Sequence, residues 1–158
     1  MLIATGQLIA TVAVLANAIV YGTDVCATVI TRSVYRKLDD AAVTMSAGWG
    51  HYYGDRRMPI VGVVGVSTAV LTLLIALFAG QLGTTVAAAV TVAALLIWLA
   101  LYVRIAKPIN TQQTAAARSG VIPPNARALQ DKWDSLLKYR ITLQFTAIAG
   151  LCAALILF

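Results

Sequence analysis

The sequence has no glutamate, one histidine (His51), and charge on only 11% of its residues. A soluble domain carries about 25% charged residues. The shortfall excludes an ordinary soluble globular protein and a disordered chain, and the composition equally excludes a collagen and a disulfide scaffold. With one His and no Glu, a di-iron carboxylate bundle, a three-histidine zinc site and a bis-histidine haem are all out of reach. The cysteines, Cys26 and Cys152, stand in separate apolar runs with no second thiol nearby. That is the pattern of small packing residues rather than of a disulfide or a metal site. No metal, cofactor or nucleotide-binding fingerprint is expected.

What the chain does have is apolar residues in long runs, 60% of its 158 positions. A membrane-spanning helix needs about 20 of them in succession. Four segments qualify, at about 2–23 (with a helical continuation to about Thr31), 59–80, 84–103 and 141–158. Pro59 suits the first turn of the second span, and Gly80 and Gly83 suit a short turn before the third. The expected fold is all-α, one integral membrane four-helix bundle over residues 1–158. Helices 1 and 4 should extend past the membrane, the fourth running about 32 residues and about 48 Å in all with its first third in the cytoplasm.

All 12 basic residues lie in two segments, 32–58 and 104–140. With four spans those segments share a side, and the positive-inside rule puts them in the cytoplasm, with both termini outside the cell membrane. The net charge of +6 is therefore a topology signal and not a nucleic-acid one; membrane lipids are the expected macroscopic partner. Ala16-Asn17-Ala18 looks like a signal-peptidase site. No Lys or Arg precedes it and the apolar run continues beyond it, so the segment reads as a retained span.

Between the first two spans the sequence suggests a short helix starting near Asp39 or Asp40. After it a glycine-broken aromatic turn is expected, Gly48-Trp49-Gly50-His51-Tyr52-Tyr53-Gly54. Thr111 to Asn125 reads as a polar loop, with Asn125 as N-cap of the last helix.

Polar residues inside spans are costly and face the bundle interior. Asn17, Tyr21, Asp24, Thr28 and Thr31 recur at 4-3-4-3 spacing, one stripe of helix 1. Thr84, Thr91, Trp98 and Tyr102 form a stripe on helix 3, and Trp133, Arg140 and Gln144 one on helix 4. Thr68, Thr72, Gly62 and Gly65 mark helix 2, the glycines suiting close approach. The richest parts of these stripes converge in the inner half of the bundle, where a pocket is expected. Asp24 and Arg140 should meet there, either as a structural ion pair or as a base and a substrate anchor. His51 reads either as a member of an interfacial aromatic belt or as a general base that Asp55 and Arg56 could orient.

Pro108-Ile109-Asn110 after the third span, Lys132-Trp133, and Arg140 seven residues after the tryptophan together resemble the anthrone-oxygenase-like family of small four-span membrane proteins. Gly22, the charged segment Arg36 to Asp40, and His51-Tyr52-Tyr53-Gly54-Asp55-Arg56-Arg57-Met58-Pro59 fit the same resemblance. The family often has Asn where this chain has Ala106 and Leu137. The resemblance implies oxygen-dependent oxidation of a polycyclic aromatic ketone without metal or flavin. Asp24 or His51 would be the base, and Arg140 with Tyr102 or Gln144 would hold the oxyanion. Trp98 and Trp133 would stack on rings, with Tyr21, Asn17 and Asn110 completing the substrate site. The partner is then a lipophilic small molecule, and a homo-oligomer is compatible. Three other functions fit the residues: an acid–base isomerase or cyclase in the same pocket, a small-solute carrier using Asp24, and a structural membrane subunit.

Overall fold

In the computed structural model, which describes residues 1–158, the chain forms four helices long and apolar enough to cross a membrane. They are α1 (Leu2–Tyr35), α2 (Asp40–Phe78), α3 (Leu82–Ser119) and α4 (Ala126–Leu157). The connections are short, so consecutive helices run antiparallel, and α4 closes the ring against α1. At 1.5 Å per residue the helices run about 48–58 Å, well beyond a hydrocarbon core of about 30 Å. All four, not α1 and α4 alone, are longer than such a core is thick. The antiparallel order gathers every charged side chain into one half of the bundle.

The apolar half is built inside out. Its buried positions are mostly small, with Ala10, Ala13, Ala69, Ala76, Ala88, Ala147 and Ala154 all fully covered. Leu8, Leu15, Ile19, Leu77, Phe78 and Val86 point outward. Small residues let backbones approach where lipid supplies no hydrophobic drive between helices. Gly65 is one such approach, since a Cβ there would stand 3.0 Å from Asn17 Nδ2. Buried hydroxyls join the helices: Thr91 Oγ1 donates to the Ala147 carbonyl at 3.0 Å. Cys26 and Cys152 are free and face outward, so neither packs in the core.

Several local expectations fail for one reason. The helix that starts after Asp39 does not break at the glycines but runs 39 residues through Gly48, Gly50, Gly54 and Pro59 to Phe78. Asp39 is its N-cap, accepting from the Ala42 amide at 2.7 Å. Pro59 thus lies mid-helix and not in a first turn. Gly48 is a contact point: an added Cβ would collide with the Gln113 carbonyl and the Ala117 methyl of α3. Likewise the expected loop at Thr111 is helical to Ser119, buried on Ile109, Asn110, Gln113, Ala116 and Ala117 against α2. Tertiary packing overrides the weak local signals of glycine and proline. The true connections are residues 36–39, the turn at Gly80, whose φ of +65° suits glycine, and residues 120–125, opened by Gly120 at +70°. Gly83 is helical, and Asn125 holds the N-cap position of α4 without a side-chain bond. Two π-helical turns interrupt the helices, Ala27–Thr31 in α1 and Tyr102–Ala106 in α3. Such turns often accompany functional sites.

Candidate functional site

The charged half encloses a cavity of about 600 Å³. It is walled by residues of all four helices, and both π-turns contribute, through Ala27, Thr31 and Tyr102. Its floor is Val66, which packs against the core of Ala13, Ala69, Ala94, Leu95, Ala147 and Leu151.

Asp24 of α1 and Arg140 of α4 meet in the wall. Arg140 Nη2 lies 2.8 Å from Asp24 Oδ1, with side-chain exposures of 9% and 3%. The pair is not saturated: Asp24 Oδ2 and Arg140 Nε have no hydrogen-bond partner. The guanidinium carbon sits 5.4 Å from the ring centroids of both Trp98 and Trp133. Two electron-rich faces thus flank the cation, which tightens it where water is scarce. Trp98 stacks on Tyr102, four residues on, with planes 4° apart and centroids at 5.9 Å. One side of the cavity is therefore a flat aromatic wall with a charged pair at its edge. Trp98 Nε1, a further buried donor without a hydrogen bond of good geometry, faces the Asp24 carboxylate.

Asp55 of α2 holds the aromatic wall in place. Its Oδ1 accepts from Tyr102 Oη at 2.8 Å and from Asn110 Nδ2 at 3.0 Å. Asn110 Oδ1 in turn accepts from Trp133 Nε1 at 3.0 Å. The chain Tyr102–Asp55–Asn110–Trp133 fixes two aromatic planes from α3 and α4 against α2. His51, one turn before Asp55, packs its ring on Trp133 with centroids at 5.3 Å. Burial pushes its imidazole down to about 4, against the pull of Asp55 and the contact with Gln113. His51 is therefore neutral near pH 7. A second polar chain runs along the mouth. Gln113 Nε2 donates to Gln130 Oε1 at 3.0 Å, Gln130 Nε2 to Asp134 Oδ1 at 2.8 Å, and Arg32 approaches Asp134 at 3.6 Å.

Of the residues expected in the site, Asp24, His51, Trp98, Tyr102, Asn110, Trp133 and Arg140 all line the cavity. Asn17, Tyr21 and Gln144 do not. Asn17 is buried deeper, bonding the carbonyls of Ala13 and Gly65. Tyr21 packs on Phe145 with centroids 6.5 Å apart, and Gln144 is buried outside the wall. The sequence pointed to Asp55 only as a group that could orient His51, took Gly50 and Gly54 as breaks and Gly62 as a close approach, and did not single out Gln130 or Asp134 at the mouth. Asp55 was within reach: once 40–78 is one helix, its spacing of four from His51 puts both on one face. No group of three or more His, Cys, Asp or Glu side chains is arranged to hold a metal ion. Compared with family models, curated proteins and solved structures, the chain matches none.

Proposed function

We propose that the protein is a membrane enzyme that carries out base-initiated oxidation of a flat, lipophilic ketone by molecular oxygen, as the anthrone-oxygenase-like resemblance implies. The observation that carries this reading is the unsaturated Asp24–Arg140 pair at the edge of an aromatic slot. A buried carboxylate with a free oxygen is a proton acceptor, and a buried guanidinium with a free N–H is an oxyanion donor. The volume suits a small-molecule site, which commonly holds about 300–1,000 Å³.

The chemistry balances with oxygen as the sole oxidant. Arg140 Nε donates to the ketone oxygen. Asp24 Oδ2 takes a proton from the acidic methylene of the same ring system, and the C–H electron pair becomes an enolate held by Arg140. The enolate carbon gives its electrons to O₂ and bonds to it, and the resulting peroxide takes the proton back from Asp24. Loss of water from this hydroperoxide leaves a second carbonyl, so CH₂ plus O₂ becomes C=O plus H₂O. Trp98, Tyr102 and Trp133 hold the rings. His51, being neutral, serves as a polar wall. The basic loops and helix ends face the cytoplasm on the positive-inside argument, and the cavity reaches from them into the spans.

Without oxygen the same pocket would serve an isomerase or cyclase, because enolate formation is common to both. A carrier is less well supported, because the cavity ends on the alanine-rich core. Oxygen uptake by the protein in nanodiscs with anthrone as substrate tests the reading. General-base catalysis is worth about 10²–10⁴-fold, so Asp24→Asn should lower turnover by that factor and leave anthrone binding largely intact. Absence of uptake by the wild type, or full turnover by Asp24→Asn, refutes it.

A further inference from the structure

The glycines of α2 are unevenly used. Gly48 and Gly65 are pressed against neighbours, but an ideal Cβ on Gly50, Gly54 or Gly62 would meet nothing within 4 Å. All three line the cavity. Each costs the helix about 0.5–1 kcal/mol relative to alanine, with no packing contact in return. Together with Ala47 and Met58 they make a trough along α2. From Gly50 to Gly62 it runs about 18 Å, longer than three fused rings.

The trough faces a gap between α1 and α2. Two hydrogen bonds join these helices, Asn17 Nδ2 to the Gly65 carbonyl at 3.3 Å and Tyr35 Oη with Ser46 Oγ at 3.0 Å. They sit at the two ends of the gap. Between them Thr23, Gly50, Pro59 and Val63 belong both to the cavity wall and to the exposed surface. The exposed surface of the two helices near the gap is apolar at Val29, Ile30, Ile60 and Val63 and turns polar at its charged end, where Arg32 is 41% exposed. Its apolar stretch belongs in lipid rather than water. At the far side of the cavity Asp24 and Arg140 are nine-tenths or more buried and still present a free acceptor and a free donor.

From these features we propose that the cavity takes its ligand sideways from the lipid, through the α1–α2 gap, and that the ligand is an elongated lipophile with a flat polar head and an apolar tail. This rests on the reading of the bundle as a membrane enzyme for a lipophilic ketone and adds the tail and the route. The head lies between Trp98 and Trp133, answering Asp24 Oδ2 and Arg140 Nε. The tail lies in the glycine trough and leaves between Thr23 and Val63. Gly54 and Gly62 set the bore, since any side chain there fills space that the tail occupies.

The test measures binding, so it does not depend on turnover. The probe is dodecyl anthracene-9-carboxylate, a three-ring head with an ester carbonyl on an alkyl tail, titrated into the full chain in phosphatidylcholine nanodiscs. The signal is energy transfer from tryptophan that anthrone displaces. Gly54→Leu and Gly62→Leu should weaken binding tenfold or more. Gly22→Leu, also free of contacts but outside the cavity, should bind as wild type. Gly62→Ala guards against misfolding: it should melt at a higher temperature and yet bind the probe more weakly. Wild-type affinity in both leucine variants overturns the route, and equal affinity for anthrone and the probe overturns the tail. Loss of binding in the leucine variants, with no oxygen uptake by the wild type, keeps the entrance and removes the oxidation.

Discussion

Replacing Asp24 by Asn and Arg140 by Gln, singly and together, separates a true buried ion pair from two charges that happen to be near. The contact is 2.8 Å long between side chains that are almost wholly buried. Removing one partner of such a pair strands the other and costs about 3–5 kcal/mol. The two losses are not equal. Asp24→Asn leaves the guanidinium between its two indoles, each 5.4 Å away, and keeps an amide oxygen toward it; about 3 kcal/mol is expected. Arg140→Gln strands the carboxylate and also forfeits two cation–π contacts, each worth about 0.5–2 kcal/mol, so about 5 kcal/mol is expected. The double variant leaves two neutral amides able to bond each other. It should cost about 4 kcal/mol, half the sum of the singles, a coupling of about 4 kcal/mol. Equilibrium unfolding in mixed dodecylmaltoside–SDS micelles, followed by circular dichroism, reads all four proteins. Additivity to within about 0.5 kcal/mol would refute the pair, and so would a larger cost for Asp24→Asn than for Arg140→Gln.

Three further outcomes are expected. Asp39→Ala removes the acceptor of the Ala42 amide and should cost about 1 kcal/mol in the same unfolding measurement; no change would mean that the start of α2 is held by packing alone. His51 is held at about 4 against an ordinary 6.5, so the unfolded chain takes up a proton that the folded one refuses. Its contribution is complete above pH 6.5 and is lost as pH falls toward 4; melting temperatures of His51→Gln should therefore fall less than wild type between pH 7 and 5, and parallel curves would contradict this. Single cysteines placed after Gly80 and at Ser119, in a background without Cys26 and Cys152, should label from opposite faces of sealed vesicles; labelling from the same face would break the four-span arrangement.

The meeting of Asp24 and Arg140 was legible because each lies on a stripe, at 4-3-4-3 spacing in α1 and 7-4 in α4, and a stripe fixes both face and depth. Trp98 and Tyr102 were legible as an i, i+4 pair on one face. The continuity of α2 and α3 was not. Gly48, Gly50, Gly54, Pro59 and Pro108 each argue locally for a break, and no window of neighbours says that α2 and α3 lie against each other there. The contrary signal was present in α3, where Ile109, Asn110, Gln113, Ala116 and Ala117 recur at helical spacing. The expected aromatic turn is therefore a helical face, and this is what points His51 and Asp55 into the cavity. The two roles of glycine cannot be told apart from sequence. Gly48 makes room for a neighbour and Gly62 makes room for nothing in the protein, and both read as the same letter.

Arg140 and Trp133 come from the last helix, as does Arg127, whose guanidinium binds the Tyr35 and Leu38 carbonyls and the Asp40 carboxylate. The hairpin of α1 and α2 is thus tied at its charged end by a residue synthesised long after it. While α1, α2 and α3 are already in place, the groove they form has no fourth wall, Asp24 has no counter-charge, and Asn110 lacks the indole donor that Trp133 supplies. Closing that wall supplies the counter-charge, the second aromatic plane and the clasp in one event. A nascent chain stalled before α4 would therefore expose a polar groove to lipid, a mark by which membrane quality control could tell unfinished protein from finished.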